Sequence, residues 1–230
     1  MLRLPVAAAE ARLATVATQQ ERVARLLDRH GTTYAEQAGI TLRDKPSPLY
    51  RLLVLSTLLS ARISADIAVA AAQELSEAGY RTPQRMMAAT WQQRVDALGR
   101  GRYRRYDERT ATQLGDGAQL LLDDYRGDVR RLRDEHQPGK VSGHLQQFPG
   151  IGPTGAAIFC REAQGLWPEL APTLDDKVIQ GAERLGLPTS PGRLAALVEI
   201  DDLPRLAAGC VRAALDDDIV RGLRQGGSTP

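Results

Sequence analysis

Cysteine is scarce: the 230 residues hold two, Cys160 and Cys210, far apart in the chain. That count supports no disulfide framework, and a reducing cytoplasm is the expected compartment, with the nucleoid as its bacterial counterpart. Long apolar runs are missing as well. No stretch approaches the twenty residues needed to span a bilayer, and the start lacks the charged-then-apolar pattern of an export signal, so neither membrane spanning nor secretion is expected. Nor is there an excess of charge of one sign: 30 Lys and Arg against 28 Asp and Glu leave a formal net charge of +2, so any attraction for a polyanion must be local. Alternating apolar–polar runs bounded by turn residues are absent, and nearly every segment scans at helical period. Internal repeats are lacking, and the alanine-rich runs only promote helix. What is left is an all-α chain with 43% hydrophobic residues, enough to bury a core as one large domain or two small ones.

Periodicity and capping residues place the helices. A long amphipathic helix is expected from Pro5 to Arg29, and a Pro-bearing connection, TLRDKPSPLY, leads into Tyr50–Ala61, which is apolar almost all round and therefore buried. Ser64 is positioned to cap a helix ending at Glu77. Thr82 can cap another that carries Met86, Met87, Trp91 and Val95 and stops near Gly99. Glu108 to Tyr125 shows one apolar face, and HQPGK reads as a loop. Beyond Pro188 come short helices at Arg193–Glu199, Pro204–Leu215 and Asp217–Leu223, then a frayed GGSTP tail.

Two features carry chemistry. Between Phe148 and Phe159 the chain reads FPGIGPTGAAIF. Glycines one residue apart, Gly150 and Gly152, permit positive φ in a tight connection between helices expected at His144–Phe148 and Thr154–Gln164. Such a corner directs backbone N–H groups outward at a helix start, where an anion binds, and a nucleic-acid phosphate is the ligand best matched to amides that read no base. Pro153 fits the first helical position, and Gly155, Ala156 and Ala157 allow close helix crossing. Downstream, TLDDKV presents Asp175 and Asp176 at the head of another helix. Either can cap it, a role worth about 1 kcal/mol.

A third segment is basic. RGRYRRYDER holds Arg100, Arg102, Arg104, Arg105 and Arg109 with Tyr103 and Tyr106 against two acids, the footprint of a phosphate-binding loop, with a solvated arginine loop over buried tyrosines as the other reading.

The succession PGIG, helix, LDDKV and a helix ending RLGLP resembles the helix-hairpin-helix superfamily of DNA glycosylases, most of all its endonuclease III branch. The likeness extends to LLVLSTLLSARISADIAVAAAQEL and to ALGRGRYRRYDERTATQL, and covers about residues 49 to 188. It implies two helical domains with a DNA-binding cleft between them: a central bundle over 46–165 that includes the hairpin at about 144–164, and a second domain built from 1–45 and 166–225. It implies a monomer acting on double-stranded DNA that carries a damaged or mispaired base. Asp175 stands where the family has its catalytic aspartate; a carboxylate beside the sugar would stabilise the oxocarbenium-like transition state as the base leaves. Gly150, Ile151, Gly152, Thr154 and Gly155 would hold the strand, together with Arg100, Arg102, Tyr103, Arg104, Arg105 and Tyr106. Arg62 stands where relatives place a glutamine that fills the hole left by the everted nucleotide; a helix C-terminal charge is its alternative.

Two departures shape the expected chemistry. The bifunctional members carry a lysine where this chain has Thr154, and a hydroxyl cannot form the Schiff base that leads to β-elimination. A monofunctional enzyme using water is therefore implied, with Asp176, Thr154 and Lys177 as supporting groups and Lys177 as the one nearby amine able to restore lyase activity. The second departure is the missing cysteine cluster: two thiolates cannot hold a four-iron centre unaided, so no cofactor or metal is expected, a monovalent cation at the hairpin being the one ion left open. Cys160 and Cys210 read as small buried hydrophobes. Two further readings stay open, a non-catalytic hairpin DNA-binding module and an unrelated helical regulator.

Overall fold

The computed structural model describes residues 6–134 and 140–225, with side chains over 18–133 and 140–224. Every regular element among the described residues is helical. In chain order the α-helices are α1 Val6–His30, α2 Tyr34–Gln37, α3 Pro46–Leu59, α4 Ala65–Glu77, α5 Pro83–Ala88, α6 Trp91–Arg100, α7 Asp107–Tyr125, α8 Arg131–Asp134, α9 Val141–Leu145, α10 Pro153–Ala163, α11 Asp176–Arg184, α12 Pro191–Ala195, α13 Leu203–Leu215 and α14 Asp217–Gln225. Single 3-10 turns occupy Pro168–Leu170 and Ile200–Asp202. The expected loop at HQPGK, apart from Lys140, lies outside the described residues, as do Pro5 and the GGSTP tail. No described helix is long and apolar enough to cross a membrane.

The chain forms two units, Thr33–Ala171 and a second made of Met1–Thr32 with Pro172–Pro230. The first division comes earlier than residue 46 because Thr33 to Ile40 is tied to the larger unit by polar contacts. The buried Glu162 carboxylate accepts from the Tyr34 and Ala35 amides at 3.2 and 2.9 Å, answering the otherwise orphaned start of α2. Arg51 Nη2 donates to the Gly39 carbonyl at 3.0 Å, and Ile40 is buried.

Within Thr33–Ala171 the organising element is α3, buried along Leu49–Tyr50 and Leu52–Leu58, as a sequence apolar almost all round requires. Helices α4 and α10 pack on it. Ser64 caps α4 as expected. The helix expected from Thr82 to Gly99 is instead two, α5 and α6, separated by an extended Ala89. Thr90 and Gln93 form a capping box that starts α6, with Gln93 N donating to Thr90 Oγ1 at 3.1 Å and Thr90 N to Gln93 Oε1 at 2.8 Å. The T-x-x-Q spacing is a legible start signature, and it prevails over a periodicity that runs through the break.

In the other unit α13 is central, with Leu206, Ala207, Ala208, Cys210 and Ala213 buried. Helix α11 lies so close to it that a methyl group on Gly181 would collide with the Cys210 carbonyl oxygen. Helix α1 is held alongside by Arg212 Nη1, which donates to the His30 carbonyl at 2.9 Å, and by Arg22 Nη1, which donates to that of Leu185 at 2.7 Å. The helix expected over Arg193–Glu199 is confined to α12, and Leu197 and Val198 close it with turn bonds to Leu194 and Ala195.

Candidate nucleic-acid interface

The glycine corner joins α9 to α10. The first helix of the pair ends at Leu145, three residues short of the expected Phe148, because Pro149 disfavours helical backbone in the residue before it. Phe148 is buried and stacks at 6.0 Å on Tyr125 of α7. Gly150 takes φ +88°, the left-handed conformation expected of it. Gly152 does not: it is extended at φ −93°, ψ −168°, and acts as the N-cap of α10 without a side chain to fill that role. Ile151 corrects a further expectation. Its side chain is buried and its amide donates back to the Phe148 carbonyl at 3.0 Å, so it holds the turn and offers neither side chain nor amide to an anion.

Beyond the turn, Gly152, Pro153 and Thr154 are exposed at the start of α10, where the first bond back to the corner is Ala156 N to Gly152 O at 3.0 Å. The preceding amides of that first turn have no intrahelical acceptor and lie at the positive end of the helix dipole. Gly155 is buried: a methyl group there would strike the Ser60 hydroxyl at the end of α3. Its role is helix packing against α3, so Gly152 and Thr154 are the residues of this corner that an anion can reach.

The basic segment divides in two. Arg100 is drawn onto Glu74, Nε to Oε2 at 2.8 Å, a half-exposed pair that ties α6 to α4 and competes with any phosphate for that guanidinium. Arg102, Arg104 and Arg105 are exposed and make no ion pair among the described residues, with the Arg105 guanidinium 5.3 Å above the Tyr106 ring. Arg102 sits at φ +64°. A left-handed arginine is uncommon, and the neighbouring Gly101 permits the bend by packing directly on the Ala71 backbone of α4. Tyr103 is fully buried, its hydroxyl donating to the Leu58 carbonyl at 3.4 Å, and burial raises its phenol pKa. The expected stacking of Tyr103 on a strand is therefore corrected: it is an internal wall.

That wall belongs to a cavity of about 240 Å³ that gathers Arg62, Tyr103, Tyr106 and Gly150, four residues distant in sequence. Arg62 follows α3, as expected, although the helix ends at Leu59 rather than at Ala61. The cavity also takes Arg109, Thr110 and Gln113 from α7, with Thr57 and Ser60 from the α3 end; of these only Arg109 is marked in the sequence, as the last arginine of the basic segment. The i, i+4 spacing of Arg109 and Gln113 was the available clue.

Asp175, in the other unit, is half-buried and N-caps α11, Val178 N donating to its Oδ1 at 3.2 Å. Asp176 is exposed, and the exposed Lys177 donates from Nζ to Gln180 Oε1 at 2.8 Å. Both cysteines are buried, and desolvation pushes each thiol up to about 12. Among the described residues no three His, Cys, Asp or Glu side chains are grouped to hold a metal ion.

No protein-family model matches this sequence, and no curated protein matches it. Among solved structures the chain is similar to a trapped endonuclease III–DNA covalent intermediate in an estranged-adenine complex, at 19% identity over 84% of each chain with a TM-score of 0.48. It is similar also to a non-covalent endonuclease III–DNA complex, at 19% identity over 84% of each chain with a TM-score of 0.49.

Proposed function

We propose that this protein is a DNA glycosylase that hydrolyses the N-glycosidic bond of a damaged or mispaired base everted from duplex DNA, with water as the nucleophile. The observation that carries the reading is Gly152. Its extended backbone is open to any residue and a methyl group there would meet nothing within 4 Å, so no packing contact demands glycine at the exposed N-cap of α10, where glycine is favoured over alanine by about 0.5–1 kcal/mol. Without a side chain the position lets a ligand approach the amides closely, and a backbone phosphate fits amides at a dipole's positive end. Arg102, Arg104 and Arg105 add local positive charge to an otherwise balanced chain.

Asp175 supplies the carboxylate for the sugar in this reading, and its cap bond orients it. Thr154 stands exposed where a Schiff-base amine would be needed, which favours hydrolysis over strand cleavage. Incubation with duplexes bearing a panel of lesions, followed by hot alkali, tests the proposal. Alkali-dependent cleavage of at least one lesion is expected, falling on the order of 100-fold or more in Asp175→Asn, because a fixed charge at the transition state is lost. Asparagine caps a helix as well as aspartate does, so the fold and duplex binding are retained. Nicking without alkali, trapped by borohydride, would assign lyase chemistry to Lys177. Duplex affinity with no excision of any lesion would leave a binding module in which Asp175 only caps α11.

A further inference from the structure

The charge of the cavity beside the hairpin is one-sided. Arg62 and Arg109 line it and no aspartate or glutamate does, in a chain whose 30 basic and 28 acidic side chains nearly cancel. The groove lined by Arg100 and Arg104 of the same loop differs, because Asp96 and Asp107 line it too. Both Arg62 and Arg109 are exposed, and neither makes a hydrogen bond or an ion pair among the described residues. Arg109 also stands against a local rule: it is the third residue of α7, where the positive end of the helix dipole disfavours a cation. Two guanidiniums on one cavity without a carboxylate repel each other, and an anion held between them relieves that repulsion.

Exposure orders the lining. Arg62, Arg109 and Gly150 are exposed and form the rim, while Thr57, Tyr103 and Thr110 are buried and form the floor. The rim offers donors, since the Gly150 amide, like the two guanidiniums, makes no hydrogen bond among the described residues. The inner hydroxyls turn their protons to the backbone instead: Thr57 Oγ1 donates to the Leu53 carbonyl at 3.0 Å, Ser60 Oγ to that of Ser56 at 2.6 Å and the Tyr103 hydroxyl to that of Leu58 at 3.4 Å. An anion is therefore drawn to the rim. A phosphate diester suits it, because the planar guanidinium fork matches phosphate oxygens. Gly150 belongs to both the rim and the corner, so a strand that meets the corner passes the rim.

We infer that Arg62 and Arg109 clasp a backbone phosphate of the bound strand at the cavity rim, a contact separate from the one at the α10 amides of Gly152 and Thr154. This rests on the duplex binding that the glycosylase reading requires, and adds a second, charged anchor to the uncharged one. The two differ in kind. Amides position a phosphate without neutralising it, whereas guanidiniums neutralise it and release counterions, so salt tells them apart.

The test is fluorescence anisotropy over a salt series, on duplexes that carry one tetrahydrofuran abasic analogue to fix the register and in which one phosphate at a time is replaced by an uncharged methylphosphonate. Arg109→Ala should weaken binding of the unmodified backbone by about 10-fold or more, the scale of one charge-assisted hydrogen bond, and make the slope of log K against log salt shallower by about 0.9. Arg109→Lys should keep the slope, which charge sets and shape does not. One methylphosphonate position should weaken the wild type by a similar factor, add little in Arg109→Ala or Arg62→Ala, and keep its full effect in Gly152→Ala. The same sensitive positions in wild type and Arg109→Ala, or an affinity loss with no change of slope, would overturn the inference and leave duplex binding intact. A scan with no sensitive position leaves the decision to the slope. The test reads binding alone, so it decides equally for a protein that excises no base. No duplex binding by the wild type would sink the inference and the glycosylase reading together. If Arg109→Ala does not fold, Arg62→Ala decides by the same slope and profile.

Discussion

Replacing Gly152 by alanine should separate what the fold needs from what the ligand needs. Alanine is a poorer N-cap than glycine, which costs about 0.5–1 kcal/mol, while the lost freedom of the unfolded chain returns about 0.4–1 kcal/mol where the native φ suits alanine, as −93° does. No atom stands within 4 Å of the new methyl group. The two terms nearly cancel, so melting should stay within about 3 °C of wild type. Binding should behave otherwise. The methyl group stands where a phosphate must approach, and losing a charge-assisted bond to the amides costs about 1.5–3 kcal/mol, roughly 10- to 100-fold in Kd. Because the amides are uncharged, the slope of log K against log salt should not change, unlike the shallower slope expected when Arg102 or Arg104 is removed. Fluorescence anisotropy with an undamaged duplex across a salt series reads both quantities. The companion Gly150→Ala should lose about 1–3 kcal/mol of stability, because φ is +88° and the methyl group crowds Gln113 and Thr57. Wild-type affinity and melting in Gly152→Ala would refute the assignment of a ligand to this corner.

Two further outcomes follow from the unit that contains α1 and α13. Gly181→Ala should destabilise by about 3 kcal/mol or more, seen as a lower denaturation midpoint, since the methyl group meets the Cys210 backbone carbonyl, which cannot rotate away. The His30 pKa is held below its ordinary value, first by burial and then by the Arg212 and Arg29 charges. The unfolded state therefore binds the proton more readily, and stability should fall as pH drops through the ordinary histidine range. Urea midpoints between pH 8 and 5 would show the slope, and His30→Gln should flatten it.

The all-α class, the capping of α4 by Ser64 and of α11 by Asp175, the left-handed Gly150 and the burial of α3 were all legible in the sequence, because each depends on residues close in the chain. Capping, φ preference and apolar periodicity are local physics. The break between α5 and α6 was legible too, in the Thr90–Gln93 box, but periodicity alone passes over it. What only the tertiary structure decided is which residues meet. Tyr103 and Tyr106 stand three apart in one motif, yet one is fully buried and the other lies under an arginine, because burial is set by the packing of α4, α6 and α7. Arg100 looks like its neighbours in sequence until Glu74, a full helix earlier, takes it. Gln113 is marked in the sequence only by its i, i+4 spacing from Arg109. Folding sets it against Gly150 and lines one cavity with it and Arg62, a meeting that no local rule supplies.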